Sequence, residues 1–313
     1  MPQPFKLTCT SIEQPGTPVK QQSGVEMVLV GPQLIIFSDL DGTLLDHHTY
    51  SFAAAGDALD LVMRERIPLV FCSSKTRPEI EYWRKRMGNV HPFVSENGGG
   101  IFIPSSYFSP EDLGLAWPEM EERDEYHVLP LGKPYHLLRE ALTTLRKEGF
   151  HVQGFGDMAA TEIAQITGLN LEQATWAKQR EFDETFVFNG DQKEFNRLLA
   201  SIRRKGLRYT QGKFHHLMGG SDKGRAVNLL SGLFQKKFNS IVTVAVGDSP
   251  NDLPMLENVD HPMLVQNYRG EHDQRINLPN LRRVEGIGPE GWSRAILRLL
   301  SDRSSGASPP RKS

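Results

Sequence analysis

Short apolar runs bounded by polar turns recur along the chain, and stretches with helical periodicity separate them. The runs at residues 34–37, 68–72 and 241–246 predict buried parallel strands. Residues 50–66 and 223–234 predict helices. Strands that alternate with helices are typical of a doubly wound sheet, so we predict an α/β fold with a mostly parallel central sheet.

The alternation breaks down in the middle of the chain. Residues 105–124 are acidic and loop-like, 126–129 predict a strand, and 207–210 with 214–218 predict a hairpin. We interpret this part of the chain as an inserted α+β cap domain. The predicted limits are 33–103 and 219–302 for the core and 104–218 for the cap.

The two ends of the chain lack periodicity. Residues 1–32 mix Pro, Gln, Ser and Thr, and residues 303–313 are rich in Ser, Pro and Arg. We expect both ends to be disordered. An extra strand at 25–30 is the alternative for the first, which also lacks the basic start and apolar middle of a secretory signal.

The composition argues against several classes of protein. A formal net charge of −2 does not favour a nucleic-acid-binding surface. No apolar stretch approaches the roughly 20 residues of a membrane span. The two cysteines, Cys9 and Cys72, are too few for a disulfide framework. We expect a cytoplasmic protein with a small-molecule partner and neither nucleic acid nor membrane as partner; the oligomeric state stays open.

Four polar clusters stand out, three of them where a predicted strand ends. Each has a plain structural interpretation when taken alone, as a turn, a helix cap or a solvated lysine. Ligands of open α/β sheets bind beyond the carboxyl ends of the strands, so the clusters are expected to share one pocket. The clusters are Asp39 with Asp41 and Gly42; Ser73 with Ser74 and Lys75; Lys223; and Asp248 with Asn251 and Asp252.

The first cluster is suited to carboxylate chemistry. Asp39 and Asp41 share a face because side chains two residues apart point the same way in an extended chain. Paired carboxylates repel each other unless a cation lies between them. Gly42 permits a tight turn and a close approach to a ligand. A nucleophile, a proton-transfer group and a divalent metal fit this arrangement.

The other clusters are suited to a phosphate and to its metal. Hydroxyl and N–H groups at 73–75, before a helix, can bind a phosphate. Lys223 can neutralise a phosphoryl oxygen. The acidic turn with Asp248, Asn251 and Asp252 is suited to Mg²⁺.

In this order the clusters resemble motifs one to four of the haloacid dehalogenase-like phosphatases. The insertion between the second and third motifs is similar to the type-2 cap of the Cof-like branch. Within that branch, the chain most resembles the phosphatases of mannosyl-3-phosphoglycerate. The stretches that carry this resemblance are SSKTR at 73–77, SENGG at 95–99, GFGDM at 154–158, QREFDE at 179–184 and HLMGG at 216–220.

The resemblance implies a Rossmann-like core and a two-step, Mg²⁺-dependent hydrolysis that yields mannosylglycerate, a compatible solute. Asp39 would attack phosphorus and form an aspartyl-phosphate. Asp41 would protonate the leaving oxygen and then deprotonate the attacking water. Mg²⁺ would be held by Asp39, the backbone carbonyl of Asp41 and Asp248. Asn251 and Asp252 would complete or orient that shell.

The substrate implied by the resemblance is a phosphorylated sugar acid. Ser73 and Lys223 would hold its phosphoryl oxygens. Arg180 in the cap would bind its carboxylate through a bidentate fork, with a solvated arginine as the alternative. The remaining predicted substrate-binding residues are Gly42, Ser74, Lys75 and Asn97.

The sequence does not rank the residues that would bind the sugar. Gln153, Asp157, Glu181 and Asp183 are all candidates. The pair at 215–216 is interpreted as strand structure rather than as metal ligands, because neighbours on a strand point to opposite faces.

Two other functions stay open. A phosphatase of another sugar phosphate, such as glucosyl-3-phosphoglycerate or sucrose phosphate, would share the core motifs. A non-catalytic phosphosugar-binding protein is the alternative outside the enzymes. The intact set of Asp39, Asp41, Lys223 and Asp248 argues against it, because a binding protein needs no nucleophile and no acid/base.

Overall fold

A computed structural model describes residues 31–113 and 119–304 of the chain. The expectations of disorder at the two ends, and of a strand at 25–30, fall outside these residues except at 31–32 and 303–304. Among the described helices, none has both the length and the apolar character needed to cross a bilayer.

The described residues form strands and helices in the alternation that the sequence predicts for the core. The strands are β1 (Gln33–Ser38), β2 (Leu69–Cys72), β3 (Phe93–Ser95), β4 (Gly100–Pro104), β5 (Glu121–Arg123), β6 (Tyr126–Pro130), β7 (Val152–Gly154), β8 (Asp183–Phe188), β9 (Arg208–Gln211), β10 (His215–Met218), β11 (Ile241–Gly247), β12 (His261–Gln266) and β13 (Arg282–Ile287). The α-helices are α1 (Gly56–Arg64), α2 (Arg77–Arg86), α3 (Pro110–Leu113), α4 (Tyr135–Lys147), α5 (Ala160–Thr167), α6 (Leu171–Ala177), α7 (Gln192–Arg204), α8 (Lys223–Phe238), α9 (Leu253–Glu257) and α10 (Pro289–Ser304).

Within the described residues, nine strands form the main sheet, in the order β13-β12-β11-β1-β2-β3-β4-β6-β5. The pairs from β13 to β3 are parallel, and those from β3 to β5 are antiparallel. This confirms the predicted α/β fold with a doubly wound, mostly parallel sheet.

Strand β1 is apolar from Leu34 to Phe37, where both of its faces are buried. Leu34 and Ile36 pack in the same cluster as Trp292 of α10. Ile35 and Phe37 point the other way and pack in the cluster of the α8 side. The sequence of a strand that lies between two layers of helices is therefore a continuous apolar run.

A second, antiparallel sheet has the order β7-β8-β10-β9. The hairpin predicted at 207–210 and 214–218 is present as β9 and β10. Leu138 and Leu142 of α4 and Leu198 of α7 pack against one face of this sheet, around Phe186 and Leu217. The other face contributes to the cavity described below.

The structure corrects the predicted start of the cap at residue 104. Strand β6 hydrogen-bonds to β4 of the main sheet, and β5 extends that edge where the sequence indicated a loop. The physical reason is that Val128 and Leu129 of β6 pack into the two cores on opposite faces of the main sheet.

Strand β13 and the end of α10 also differ from the prediction. β13 forms the other edge of the sheet, and its residues are half-buried or exposed except for the buried Gly286, so no apolar run marks it. The last helix runs to Ser304, past the predicted start of the tail at 303.

Glu96 joins the two sheets. Its buried carboxylate accepts the N–H groups of Glu181, Phe182 and Asp183 at 2.9–3.1 Å. Burial raises the pKa of Glu96 to about 8, while Arg180 and the N–H groups of Phe182 and Glu181 act in the opposite direction. Gly98 lies close behind, at φ +92°, where a Cβ would come within 2.2 Å of the Asp222 carbonyl. The segment SENGG is therefore where the second sheet docks on the core.

Glu96→Gln is expected to lower the free energy of unfolding by about 1–3 kcal/mol, because the amide nitrogen cannot accept the buried N–H groups. Urea denaturation measures the change. Glu140→Gln on the exposed side of α4 is the control and is expected to change it by less than about 0.5 kcal/mol. Equal changes in the two variants would contradict this account of the docking contact.

Candidate active site

The site lies where the two central strands end. Asp39 follows β1 and Asp248 follows β11, and the N–H of Asp39 donates to the carbonyl of Val246 at 3.0 Å. Lys223, the first residue of α8, is fully buried beneath them. Its Nζ donates to Asp39 Oδ1 at 2.6 Å and to Asp252 Oδ1 at 2.7 Å. The first, third and fourth predicted clusters therefore meet at one point.

This cluster carries more negative charge than Lys223 compensates. Carboxylate oxygens of Asp39, Asp248 and Asp252 lie within 4.8 Å of one another. Burial and the neighbouring carboxylates raise the pKa of Asp39 to about 7, against the effect of Lys223. The pKa of Asp248 is also well above its usual value, for the same reasons. A divalent cation with oxygen ligands would relieve this repulsion, so the residues present fit such an ion.

The three acidic residues are not equivalent. Asp252 Oδ1 is engaged by Lys223, and its Oδ2 accepts the N–H groups of Asp248 and Ser249 at 3.0 and 3.2 Å. Asn251 accepts the hydroxyl of Ser249 at 2.6 Å. Of the two functions predicted for Asp252 and Asn251, to complete or to orient a metal shell, these contacts favour orientation.

Gly42 allows the first and fourth clusters to approach each other. Its φ is +79°, and a Cβ at this position would lie 2.8 Å from Asp248 Oδ2. The next residue, Thr43, donates its hydroxyl to Asp248 Oδ1 at 3.1 Å. The turn after β1 therefore requires glycine for its conformation and also for space.

Asp41 points to the cavity and is paired with Lys75. The Oδ2–Nζ distance is 3.0 Å, and the same ammonium lies 3.6 Å from Glu79 and 5.0 Å from the centre of the Tyr50 ring. Burial alone would lower the pKa of Lys75, but the two carboxylates hold it above its usual value. Oδ1 of Asp41 has no hydrogen-bond partner within the part of the chain that the structure describes.

The two serines of the second cluster differ in position. Ser74 lines the cavity. Ser73 is fully buried, and its Oγ accepts the N–H of Lys75 at 3.2 Å while its carbonyl accepts the N–H of Asn97 at 2.9 Å. The structure thus brings Ser74 to the cavity surface and Ser73 behind it.

A cavity of about 700 Å³ separates these core residues from the second sheet. Its lining residues include two groups, the cap wall and the cavity rim. The cap wall consists of Phe155, Arg180, Thr185, Phe214 and His216. The cavity rim consists of the exposed residues Lys213, Tyr268, Arg269 and Arg275.

Arg180 is held in the cap wall and is not a solvated side chain. Only 4% of its side chain is exposed. One guanidinium nitrogen lies 3.3 Å from both Asp183 Oδ1 and the carbonyl oxygen of Ser74, and Nε donates to the Ala177 carbonyl at 3.2 Å. Its guanidinium carbon is 5.8 Å from the centre of the Phe155 ring. A buried, fixed cation therefore faces the acidic cluster across the cavity.

Asn97 is a correction to the predicted substrate-binding set. Its amide donates to Asp183 Oδ2 at 2.8 Å, and its oxygen accepts the amide of Asn251 at 3.2 Å. Both polar ends of the side chain are used to connect the core to the second sheet. Asn97 therefore lies behind the cavity wall.

The candidates for binding the sugar are not in the cavity lining either. Asp157 pairs with Arg139 and Arg146, and Glu181 pairs with Arg123. Gln153 is exposed on β7. The carboxylate of Asp183, the remaining candidate, is fully buried beneath Arg180.

Sequence reasoning found Arg180 but missed two other polar residues of the cap wall, Thr185 and His216. The two histidines at 215–216 do point to opposite faces, as predicted. His215 Nδ1 bonds to the Tyr209 hydroxyl at 2.8 Å, on the side of the helices, whereas His216 Nδ1 bonds to Asp183 at 3.0 Å and lines the cavity. The alternation of the strand separates the two rings, but it does not indicate which face meets the core.

Comparisons with known proteins agree with this geometry. A model of the haloacid dehalogenase-like hydrolases matches residues 36–124 and 159–273. A Methanococcoides burtonii protein named glucosyl-3-phosphoglycerate/mannosyl-3-phosphoglycerate phosphatase is 46% identical over 268 residues, which are 85% of this chain and 97% of the relative. A Persephonella marina protein of the same name is 36% identical over 272 residues, 86% of this chain and 98% of that relative.

The chain belongs to the haloacid dehalogenase-like hydrolases. The resemblance inferred from the four motifs is thereby confirmed. A crystal structure of a Thermoplasma acidophilum protein is 16% identical and matches with a TM-score of 0.61, covering 86% of this chain and 99% of that one, which supports the fold. Phosphatases among these hydrolases use a divalent metal, and the aspartate cluster of this hydrolase has the donor atoms for one.

Gly42→Ala is expected to destabilise this hydrolase more than Gly88→Ala does. Both glycines have a positive φ, +79° and +61°, so each substitution costs about 1–2 kcal/mol in backbone strain. The Cβ at position 88 meets nothing within 4 Å, whereas the one at 42 would displace the Asp248 carboxylate. Urea denaturation and calorimetric titration with Mg²⁺ measure the two effects. Equal stability and equal Mg²⁺ affinity in both variants would contradict the proposed contact.

Proposed function

We propose that this hydrolase is a Mg²⁺-dependent phosphatase that converts 2-O-mannosyl-3-phosphoglycerate to mannosylglycerate and phosphate. The observation that carries the proposal is the acidic cluster around Lys223, which shares one cavity with the buried Arg180. The names of the relatives support the substrate class. Because those names include both sugars, glucosyl-3-phosphoglycerate is the second candidate substrate.

In the first step, Asp39 attacks phosphorus and the bond from phosphorus to the glycerate oxygen breaks. Lys223 engages Oδ1 of Asp39, which leaves Oδ2 as the attacking atom. Asp41 gives its proton to the leaving glycerate oxygen. The product of this step is an aspartyl-phosphate at position 39 and the free sugar acid.

In the second step, Asp41 takes a proton from a water molecule that attacks phosphorus, and phosphate leaves Asp39. Lys75 holds Asp41 through Oδ2, and the buried Oδ1 has no hydrogen-bond partner among the described residues. Mg²⁺, held by Asp39, the Asp41 carbonyl and Asp248, would neutralise charge between the carboxylates and the phosphate dianion.

Arg180 would bind the carboxylate of the substrate. Its guanidinium is fixed by carbonyl and carboxylate contacts before the substrate binds, so little entropy is lost on binding. Sucrose phosphate has no carboxylate, so Arg180 would keep only its contacts with Asp183 and the backbone carbonyls. The additional pairing with a glycerate carboxylate favours a phosphoglycerate over a neutral sugar phosphate. A non-catalytic binding protein would require neither Asp39 nor the free Oδ1 of Asp41.

Asp39→Asn is expected to lower kcat for mannosyl-3-phosphoglycerate by at least about 10³-fold, since the amide is not a competent nucleophile. Phosphate release in the presence of Mg²⁺ measures kcat. Asp60→Asn, on the exposed side of α1, is the control and should leave kcat unchanged. Normal turnover in the Asp39 variant would exclude this residue as nucleophile.

Arg180→Lys is expected to lower kcat/KM for mannosyl-3-phosphoglycerate by roughly 10- to 100-fold, because the fork that binds a carboxylate is lost. Turnover of p-nitrophenyl phosphate, which has no carboxylate, should change by less than about threefold. Arg298→Lys on the surface of α10 serves as the control. Equal losses on both substrates would remove Arg180 from carboxylate recognition.

A further inference from the structure

His216 and Thr185 form a polar pair in the cap wall that the mechanism does not use. They are register partners on β10 and β8, and both are buried. His216 Nδ1 bonds to Asp183 Oδ1 at 3.0 Å. The same oxygen lies 3.3 Å from the Arg180 guanidinium. One carboxylate oxygen therefore fixes both Arg180 and His216.

The contact with Asp183 determines which imidazole nitrogen faces the cavity. Burial would raise the pKa of Asp183, but His216, Arg180 and Asn97 hold it below its usual value, so the carboxylate is ionised and accepts. Nδ1 of His216 consequently carries the proton. Within the described residues Nε2 has no hydrogen-bond partner, and the ring lines the cavity.

The surroundings of His216 offer surface for a sugar beside the fixed cation Arg180. Two aromatic rings of the cap wall, Phe155 and Phe214, lie 5.4 Å apart and provide apolar surface. Thr185 and His216 add polar groups beside them. Arg180 would bind the carboxylate, which leaves these two polar groups for hydroxyl groups of the sugar. Apolar surface with a few placed polar groups is typical of small-molecule sites.

The structure of the proposed substrate requires a carboxylate-binding group and a sugar-binding group that lie next to each other. In a 2-O-glycosyl-3-phosphoglycerate, the carboxylate carbon is bonded to the carbon that bears the glycosidic oxygen. A group that binds the carboxylate must therefore lie beside one that binds the sugar. Arg180 and His216, which share one oxygen of Asp183, meet this condition.

We propose that His216 Nε2 hydrogen-bonds a hydroxyl of the glycosyl group, and that Asp183 is the positioning residue for both His216 and Arg180. The proposal rests on the proposed function, because it assumes a glycosylated phosphoglycerate. It assigns recognition of the sugar to the strand pair β8–β10, and recognition of the phosphate to the core.

Three substrates separate the contributions: mannosyl-3-phosphoglycerate, 3-phosphoglycerate and p-nitrophenyl phosphate. His216→Asn keeps a donor near the position of Nδ1 and removes Nε2. We expect KM for the glycosylated substrate to rise about tenfold, with kcat/KM for 3-phosphoglycerate within about twofold of the wild type. His215→Asn, the neighbour on the opposite face, should change neither value. Asp183→Asn should raise KM for both substrates that carry a carboxylate.

An equal rise in KM on the glycosylated and unglycosylated substrates, or no change on either, would overturn the proposal. If His216→Asn does not fold, the wild type with isotope-labelled histidine decides. Mannosylglycerate should then shift the Nε2 resonance of a buried imidazole, and glycerate should not; the absence of a difference overturns the proposal. The wild-type enzyme distinguishes the two proposals. If its kcat/KM is no higher for the glycosylated substrate than for 3-phosphoglycerate, the proposed function is refuted as well. If its kcat/KM is higher for the glycosylated substrate, only the proposal for His216 fails.

Discussion

The buried ammonium of Lys223 holds together carboxylates that would otherwise repel each other. It bonds to Asp39 after β1 and to Asp252 after β11, so α8 ties the two central strands at the edge where ligands bind. Breaking a buried ion pair of this kind costs about 3–5 kcal/mol, since an uncompensated charge is left behind. Asp248 adds a third carboxylate that Lys223 does not balance, so the folded core retains an excess of negative charge. That excess is what suits the site to a divalent cation and, with the cation bound, to a phosphate dianion.

At the opposite wall of the cavity, Asp183 connects polar side chains that come from different parts of the chain. Its two carboxylate oxygens contact Asn97 of the core, Arg180 in the segment before β8, and His216 of β10. The backbone of the same segment is held by Glu96. The segment SENGG after β3 thus helps to set the distance between the acidic cluster and the cap wall. Its contacts give a structural role to a motif that has no evident catalytic chemistry.

The sequence was sufficient to predict the features that depend on local patterns of apolar and polar residues. Buried parallel strands are continuous apolar runs, and ligands bind where they end, which is why Asp39 and Asp248 could be placed together before the structure was known. Features that depend on long-range pairing were missed. The short apolar stretch of β6 does not reveal which sheet it joins, and β13 at the sheet edge has no apolar run. Likewise, Asn97 is typical of a polar loop residue, and only its contact with Asp183 shows that it lies behind the cavity wall.

We propose that the carboxylate of Asp39 carries the phosphoryl group for part of each turnover. Rapid acid quench of excess enzyme with radiolabelled mannosyl-3-phosphoglycerate and Mg²⁺ detects such an intermediate. The expected result is protein-bound label that hydroxylamine releases and that maps to the peptide containing Asp39. Label on a different residue, or one equivalent of phosphate formed with no protein-bound label at any quench time, would exclude Asp39 as the carrier.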